Sequence, residues 1–226
     1  MSCLVVVAHP DDEVLGAGAS IYRLTQKGEE VNVCVMCSQA AARAFRPEDE
    51  KLHADMMRCM RMLGVNRVIP GDFPNIKMNT TPHLELVQFI EKAMMETQAD
   101  RVITHHPSDL NNDHVQTSLA CQAAVRLFQR RTDVKPLREL LYMEVPSSTE
   151  WALNTAASDF RPNTYVEVGK EALERKLQAL ACYGGVMRPY PHPRSEEAIF
   201  GLAAYRGAAS GCNYAEAFEC AIRRIV

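Results

Sequence analysis

The chain has 226 residues, a formal net charge of −3 and 47% hydrophobic residues. A hydrophobic share of this size builds a sizeable core and excludes intrinsic disorder as the main state. The 25 lysines and arginines are balanced by 28 acidic residues, so the chain lacks the basic surface typical of nucleic-acid-binding proteins. Because no run of 18 apolar residues is present, we expect no membrane-spanning helix.

The first seven residues have neither a positively charged segment nor a signal-peptide cleavage site, which favours a cytoplasmic location. The eight cysteines are scattered through a chain that is not small, so we expect reduced thiols. Cys34 and Cys37 form a CxxC sequence, but they lie in the apolar run 31–37, which has the pattern of a strand. We interpret them as buried thiols, because a metal-binding or redox-active pair needs a turn or a helix start.

Predicted strands and helices alternate along the chain. Short apolar, β-branched runs are typical of strands buried on both faces, as in a parallel sheet; they cover 4–8, 31–37, 65–69, 101–104, 139–145 and 164–168. The predicted helices cover 13–27, 48–63, 82–97, about 115–130, 171–183 and an amphipathic segment ending near 205. Since no linker or repeat interrupts this order, we predict one α/β domain over residues 1–226. Its sheet is mostly parallel and flanked by helices.

The first cluster of ionisable residues, His9–Glu13 (HPDDE), directly follows the first predicted strand. In open α/β sheets, ligands bind at the carboxyl ends of strands. His9 and Asp12 supply an imidazole and a carboxylate, a common pair of Zn²⁺ ligands, and Asp11 would then be available to act on a metal-bound water. The competing interpretation is that HPDD only caps the next helix, because Asp is favoured at such positions.

A second polar cluster, His105–His114 (HHPSDLNNDH), follows the fourth predicted strand. A catalytic zinc commonly has three protein ligands and a water, so one ligand from this loop would complete a set with His9 and Asp12. Asp113 could orient a neighbouring imidazole, as carboxylates near metals often do. Either cluster alone could be a cap or a solvated loop, but two of them after strands of one sheet favour a metal site.

The glycines of Gly16-Ala17-Gly18 have a different interpretation. They resemble the start of a dinucleotide-binding fingerprint, but Ile21 occupies the place of the third glycine. Ser38 stands where the acid after the second strand is expected. We therefore predict that these glycines allow close packing of the helix on the sheet.

The sequence AHPDDEVLGAG after a short strand, together with the later pair Asp113-His114, resembles the LmbE-like/PIG-L deacetylase family. Residues 63–65 (LGV) and 71–74 (GDFP) are also similar to this family, and the likeness is clear over about residues 3–120. The family includes N-acetylglucosaminyl-phosphatidylinositol de-N-acetylases and the bacterial deacetylases of mycothiol and bacillithiol synthesis. The resemblance implies a Rossmann-like fold with a Zn²⁺-dependent amidase site.

Matched residue by residue, the resemblance implies that His9, Asp12 and His114 bind the metal. It further implies that Asp11 activates a zinc-bound water and that Asp113 orients a catalytic histidine. The implied reaction removes an N-acetyl group from a GlcNAc-type amino sugar, so the expected partner is a small-molecule substrate. His/Asp/His ligands suit both Zn²⁺ and Fe²⁺. Members of the family often associate, which leaves a homo-oligomer open.

Asn111 departs from the family pattern HxDH, in which a histidine often stands at this position. Asparagine can donate a hydrogen bond to an oxyanion but cannot shuttle a proton. Either another histidine substitutes for the missing one, or the mechanism relies more on Asp11. The candidates are His106, in the same loop, and His192, in the Pro-rich segment PYPHPR; we interpret His105 as a structural residue or one that supports a ligand.

Substrate recognition is assigned to Arg43 and Arg46, in the loop after the second predicted strand, where they could hold a phosphate or a carboxylate. His192 is a further candidate for the substrate pocket. Two other functions stay open. One is a non-catalytic Rossmann-like module that binds a sugar or a nucleotide, which Asn111 and the partial glycine motif favour. The other is an amidase that acts on a different N-acyl substrate.

Overall fold

A computed structural model describes residues 1–39, 48–153 and 159–225. The strands are β1 (Ser2–Val7), β2 (Glu30–Val35), β3 (Arg67–Pro70), β4 (Arg101–His105), β5 (Glu139–Met143), β6 (Thr164–Glu167) and β7 (Ala215–Arg223). The helices are α1 (Asp12–Gln26), α2 (Asp49–Met62), α3 (His83–Thr97), α4 (Asn112–Ala124), α5 (Gly169–Leu180) and α6 (Glu196–Ser210). Short 3-10 helices cover Met78–Thr80 and Leu127–Gln129.

The seven strands form one sheet in the order β3-β2-β1-β4-β5-β7-β6. Neighbours among the first five strands in this order are parallel, whereas β7 runs antiparallel to both β5 and β6. Val5 of β1 pairs with Val33 on one side and Ile103 on the other, so β1 lies inside the sheet. The predicted α/β fold with one mostly parallel sheet is confirmed.

Residues of β1 alternate between two hydrophobic cores, because successive side chains of a strand point to opposite faces. Val5 and Val7 pack with residues of α1, α2 and α5. Leu4 and Val6 pack with residues of α3 and α4 on the other face. Burying one aliphatic side chain of this size contributes about 1.5–3 kcal/mol. Burial on both faces explains why β1 is a continuous apolar run in the sequence.

Helix α1 packs closely on the sheet through Gly16. A Cβ atom at this position would lie 2.5 Å from Sδ of Met143 in β5, closer than two such atoms can approach. The interpretation of this glycine as a packing residue is therefore confirmed. The close approach matters for function because the N-terminus of α1 carries the first polar cluster.

A buried ion pair links α1, α5 and β7. Nζ of Lys176 donates hydrogen bonds to Oε1 of Glu216 at 2.6 Å and to the carbonyl of Leu15 at 2.7 Å. The same carboxylate accepts the backbone N–H groups of Ala19 and Ser20. Both charged side chains are almost fully buried, so each charge depends on the other and on these hydrogen bonds for compensation.

The predicted elements do not include strand β7, so the prediction is wrong for the last part of the chain. The predicted amphipathic segment ends near residue 205, whereas α6 continues to Ser210 and ends at Gly211, whose φ of 82° suits a glycine. The next residues, Ala215–Arg223, then pair antiparallel with β5 and β6. Antiparallel strands do not need a helix between them. Among the described elements at this end of the chain, β6 follows β5 directly and α6 follows α5, so strands and helices do not strictly alternate.

Cys34 and Cys37 are buried free thiols, as predicted. Strand β2 ends at Val35, so Cys37 lies just beyond it. In the part of the chain that the structure describes, no helix is long and apolar enough to cross a membrane.

Candidate metal centre

The two polar clusters meet at the carboxyl ends of β1 and β4, which are neighbours in the sheet. His9 and Asp12 lie where β1 leads into α1, and His114 lies in the first turn of α4. Neighbouring parallel strands end at the same edge of a sheet. The two loops are therefore adjacent, although 104 positions separate His9 from Asp113.

His9, Asp12 and His114 are buried and each offers one ligand atom, all within 4.8 Å of one another. Nδ1 of His9 lies 3.4 Å from Oδ2 of Asp12, and Nε2 of His114 lies 3.2 Å from the same oxygen. Two imidazole nitrogens and a carboxylate are a ligand set that catalytic zinc sites use. The donor set therefore fits a divalent cation.

Asp113 fixes the orientation of His9. Its Oδ2 lies 3.0 Å from Nε2 of His9 and accepts the backbone N–H of Ile76 at 2.6 Å, while Oδ1 accepts that of Met78 at 3.0 Å. Nδ1 of His9 is thereby left to face Asp12. The imidazole that Asp113 orients is thus that of a candidate metal ligand.

Asp109 does the same for His114. Its Oδ1 lies 3.2 Å from Nδ1 of His114, so Nε2 faces Asp12. Asp109 is in turn held by the hydroxyl groups of Ser148 and Thr149, the latter at 2.8 Å. Both candidate histidine ligands therefore have a carboxylate behind them, the arrangement that sets ring orientation and tautomer at metal sites.

Opposite charges control protonation at this cluster. Burial lowers the pKa of His114, but Asp12 and Asp109 outweigh this effect and raise it to about 10. Burial also lowers the pKa of His9, whereas hydrogen bonds to Asp113 and Asp12 bring it above its ordinary value. Burial raises the pKa of Asp12, but His114 and His9 hold it well below its usual range. A cation binds neutral imidazole and would displace these protons.

His105 supports the cluster from one side. Its ring stacks on that of His114 with centroids 3.8 Å apart and planes inclined by 18°. Nε2 of His105 accepts the backbone N–H of Ala8 at 2.8 Å. Burial and the neighbouring His114 lower its pKa to about 3, so the ring is neutral and contributes packing rather than charge. This placement agrees with the expectation that His105 supports a ligand.

Asp11 occupies the N-cap position of α1, but its side chain makes no capping hydrogen bond. Its φ is 107°, a conformation that costs a residue other than glycine about 1–3 kcal/mol. The backbone N–H of Asp11 donates to Oε2 of Glu13 at 3.0 Å, and the hydroxyl of Tyr183 donates to Oε1 of the same buried carboxyl at 2.6 Å. The structure thus favours a role for the Asp11 carboxylate other than helix capping.

A cavity of about 300 Å³ opens in front of the candidate ligands. Asp11 and Asn111 line it together with the three ligands, and the segment 75–76 adds to this side. The remaining lining comes from two later parts of the chain; it consists of Ser147, Ser148, Gly184, Gly185, Val186, Arg188 and Arg194. The cavity thus combines the candidate metal ligands with a further carboxylate, two amides and two guanidinium groups.

Residues 4–125 match the family described as PIG-L, GlcNAc-PI de-N-acetylase. The match covers more than half of the chain and contains all three candidate ligands. The chain belongs to the PIG-L family.

Three known proteins are similar to this member of the PIG-L family. The uncharacterized deacetylase YaiS of Escherichia coli (strain K12) is 28% identical over 185 residues, which cover 78% of this chain and 87% of YaiS. The N,N'-diacetylchitobiose deacetylase from Pyrococcus horikoshii has a TM-score of 0.75 and 20% identity, with 97% of this chain and 83% of that chain covered. GalB, the 4-carboxy-2-hydroxymuconate hydratase from Pseudomonas putida KT2440, has a TM-score of 0.80 and 19% identity, with 100% and 98% covered. At such identities the two solved structures establish the fold alone.

Asn111, the departure from the PIG-L pattern, is the N-cap of α4. Its Oδ1 accepts the backbone N–H of Asp113 at 2.9 Å, and its own N–H donates to Oδ1 of Asp109 at 2.8 Å. Asn111 also lines the cavity. Because Oδ1 caps the helix, the amide Nδ2 is the end of the side chain that can donate a hydrogen bond to a ligand.

The structure does not bring His106 into the cavity. Adjacent residues at the end of a strand point to opposite faces, and His105 takes the side of the metal cluster. Nε2 of His106 instead lies 3.5 Å from Oε2 of Glu219 in β7, and its ring packs edge-on against Tyr142. Burial lowers the pKa of His106. These contacts favour a structural role over the expected catalytic one.

Of the three predicted substrate-binding residues, His192 is absent from the described lining. His192 is half-buried beside it, with its ring edge-on to Trp151 at 5.7 Å and Nδ1 accepting the backbone N–H of Arg194 at 3.1 Å. Arg43 and Arg46 lie outside the described residues. The assignment of Arg43 and Arg46 to substrate binding therefore stays a prediction.

Sequence reasoning missed four residues that shape the site: Asp109, Ser148, Arg188 and Arg194. Asp109 lies within the second polar cluster, where neither spacing nor composition distinguishes it from Asp113. Ser148 follows β5, which neighbours β4 in the sheet. Because ligands bind at the carboxyl ends of strands, the end of β5 is a position that indicates a further site residue. Arg194 lies two positions after His192 in the segment PYPHPR. Its positive charge in that loop is the sequence feature that indicates a substrate-binding residue.

Proposed function

We propose that the protein is a metal-dependent hydrolase that removes the N-acetyl group of a GlcNAc-type amino-sugar derivative. One observation carries this proposal: Asp11 lines the same cavity as the His9, Asp12 and His114 cluster. Hydrolytic metal sites typically combine three protein ligands with a further carboxylate that acts on water. Membership of the PIG-L family, whose description names a de-N-acetylase, supports an N-acetyl group as the one removed.

His9 through Nδ1, Asp12 through a carboxylate oxygen and His114 through Nε2 would hold the cation. When bound, a divalent cation supplies Lewis acidity, which polarises an amide carbonyl and lowers the pKa of water. We expect Zn²⁺, because two imidazoles and a carboxylate are an established catalytic zinc set. Fe²⁺ is the alternative, since the same donors suit it.

Asp11 is the proposed base that accepts a proton from the water attacking the amide carbon. The two candidate ligands are the only histidines in the described lining, so Asp11 is also the group proposed to return a proton to the leaving amine. The reaction then consumes one water and yields acetate and a free amine. Asn111, which lines the cavity, is the proposed donor of a hydrogen bond from Nδ2 to the oxyanion that develops on the carbonyl oxygen.

The cavity supports a substrate of about one sugar in size. Its volume of about 300 Å³ lies at the lower end of small-molecule sites. Asn75 and Ser147 add hydrogen-bonding groups that suit sugar hydroxyls, and the two consecutive glycines at 184–185 leave space in the wall. A single N-acetylated sugar with a small substituent is therefore the proposed substrate class.

Acetate release tests the proposal directly. Protein stripped of metal and reloaded with Zn²⁺ or Fe²⁺ is assayed with methyl N-acetylglucosaminide and Nα-acetyl-lysine. We expect acetate from the sugar only. Asp11→Asn is expected to keep its metal and lose at least about 100-fold in rate, the typical contribution of a general base. The exposed Asp133→Asn is the matched control and should retain full activity.

Other outcomes would support other functions. Equal release from Nα-acetyl-lysine would favour an amidase of different specificity. If no N-acetyl compound is hydrolysed and no metal is retained, a non-catalytic binding module is favoured instead.

A further inference from the structure

We infer that Arg188 and Arg194 form a binding site for an anionic group, a phosphate or a carboxylate, that the amino-sugar substrate carries. The site rests on the proposed function, since it narrows the class of sugar that the cavity takes. Both arginines line the cavity that contains the candidate metal ligands. A molecule bound there can therefore contact the metal cluster and the arginines at the same time.

The two arginines are brought together by their own loop. The backbone N–H of Arg188 donates to the carbonyl of Arg194 at 3.3 Å, so segment 188–194 closes on itself and its ends lie side by side. The backbone N–H of Arg194 in turn donates to Nδ1 of His192 at 3.1 Å. One short loop thus presents two permanent positive charges to one cavity.

Arg194 is held in a fixed position. Its Nε donates a hydrogen bond to Oγ of Ser147 at 2.6 Å, and Nη1 lies 3.8 Å from Oδ2 of Asp11. The side chain is 25% exposed. Because one nitrogen is used by Ser147 and another faces Asp11 only at long range, the guanidinium retains hydrogen-bonding capacity for a ligand.

Arg188 lacks an anionic partner within the described residues. Its side chain is exposed and, in that part of the chain, makes neither a hydrogen bond nor an ion pair. The guanidinium lies against Gly185, with Nη1 3.9 Å from where a Cβ of that residue would be. Gly185 has a φ of 76° and also lines the cavity. A guanidinium group that lines a cavity and has no such partner is available for charge-assisted hydrogen bonds to an anion that enters the cavity.

The charge balance of the lining supports an anionic ligand. Asp11 and Asp12 contribute two negative charges to the described lining, and Arg188 and Arg194 contribute two positive ones. A divalent cation on neutral histidines would leave this lining with a net charge of +2. A neutral sugar would not offset that charge, whereas a phosphate or carboxylate would. The planar guanidinium group also matches the paired oxygens of both anions.

Calorimetric titration of the zinc-loaded protein tests the site without turnover. The probes are glucosamine 1-phosphate, carboxymethyl glucosaminide and methyl glucosaminide, which have no acetyl group to lose. We expect the two anionic probes to bind at least about tenfold more tightly than the methyl glucosaminide, as charge-assisted hydrogen bonds require. The anionic probe that gains more over the methyl glucosaminide identifies whether phosphate or carboxylate is the natural group.

Arg188→Gln is expected to abolish the preference for the anionic probes while leaving the affinity for methyl glucosaminide unchanged. Arg188→Lys, which keeps the charge, should restore part of the preference. The control is Arg126→Gln, because Arg126 is exposed and lies beyond the end of α4 opposite His114. A preference that survives in Arg188→Gln, or equal binding of all three probes by the unmodified protein, would overturn the site. A lack of acetate release would count against the proposed function alone.

Discussion

Asp113 accepts a hydrogen bond from Nε2 of His9 at 3.0 Å, and it also accepts the backbone N–H groups of Ile76 and Met78. In the neutral imidazole the proton is therefore on Nε2, and Nδ1 presents its lone pair to Asp12. One buried carboxylate thus selects the tautomer of a candidate ligand that lies 104 positions earlier in the chain. The same carboxylate also ties the loop before α3 to the site.

Asp113→Ala is expected to weaken metal binding by about 10- to 100-fold, because loss of the carboxylate behind a ligating histidine has effects of this size. Competition with a chromophoric chelator measures the affinity. Asp133→Ala, at an exposed position, provides the comparison and should bind metal as the unmodified protein does. Unchanged affinity in Asp113→Ala would show that His9 does not need this partner.

His114→Ala is expected to abolish stoichiometric metal retention, because it removes one of three candidate ligands. Elemental analysis after dialysis measures the metal content, and circular dichroism verifies that the fold is kept. His53→Ala is the matched control, since His53 is exposed on α2. Equal metal content in the two variants would contradict the assignment of His114.

Alkaline pH is expected to destabilise the protein through its buried thiols. Burial raises the pKa values of Cys3 and Cys121 from 9.0 to about 12. A raised pKa in the folded state gives stability that is complete below pH 9 and is lost as the pH rises toward 12. Each thiol can lower the free energy of unfolding by up to about 1.4 kcal/mol per pH unit in this range.

Urea unfolding at pH 7, 9 and 10.5 measures this loss, with Cys121→Ala as the test variant. Removing one thiol should make the decline with pH less steep, even though the variant is less stable at pH 7 because it leaves a small cavity. Cys212→Ala, at a half-buried position, is the control. An identical slope in Cys121→Ala and the unmodified protein would refute this explanation.

Glu216→Ala is expected to lower the free energy of unfolding by about 3–5 kcal/mol, because it leaves the buried charge of Lys176 uncompensated. Urea denaturation at pH 7 measures the effect. The double variant Lys176→Met/Glu216→Gln should recover much of the loss, since no buried charge then remains. Glu174→Ala, which breaks an exposed pair with Lys170, should change stability by less than about 1 kcal/mol. A small effect of Glu216→Ala would show that water reaches Lys176.

The sheet and the metal cluster could be predicted from sequence because both follow from local patterns. A strand buried on both faces is a continuous apolar run, and polar residues directly after β1 and β4 must emerge at one edge of a parallel sheet. His9 and Asp12 are moreover only three positions apart, so one turn of chain brings both to the site.

The rest of the site depends on contacts that no local pattern encodes. Ser148 reaches Asp109 from the end of β5, 39 positions away, and Arg194 reaches the cavity through the fold of its own loop. His106 shows the reverse case. Its neighbour His105 faces the cluster, so the one-residue alternation of β4 turns His106 toward Glu219, which belongs to a strand that the prediction lacked.

The placement of β1 beside β4 also has a consequence for biosynthesis. The third candidate ligand, His114, is added only when half of the chain has been synthesised, after the crossover through β2, β3 and α3. Until then a nascent chain offers a cation just two ligands from one turn. His114 can reach His9 and Asp12 only after β4 has paired with β1. Binding of the metal by all three ligands therefore requires that these two central strands are paired. A cation present during synthesis would thus stabilise the state in which β1 and β4 are paired over the state in which they are separate.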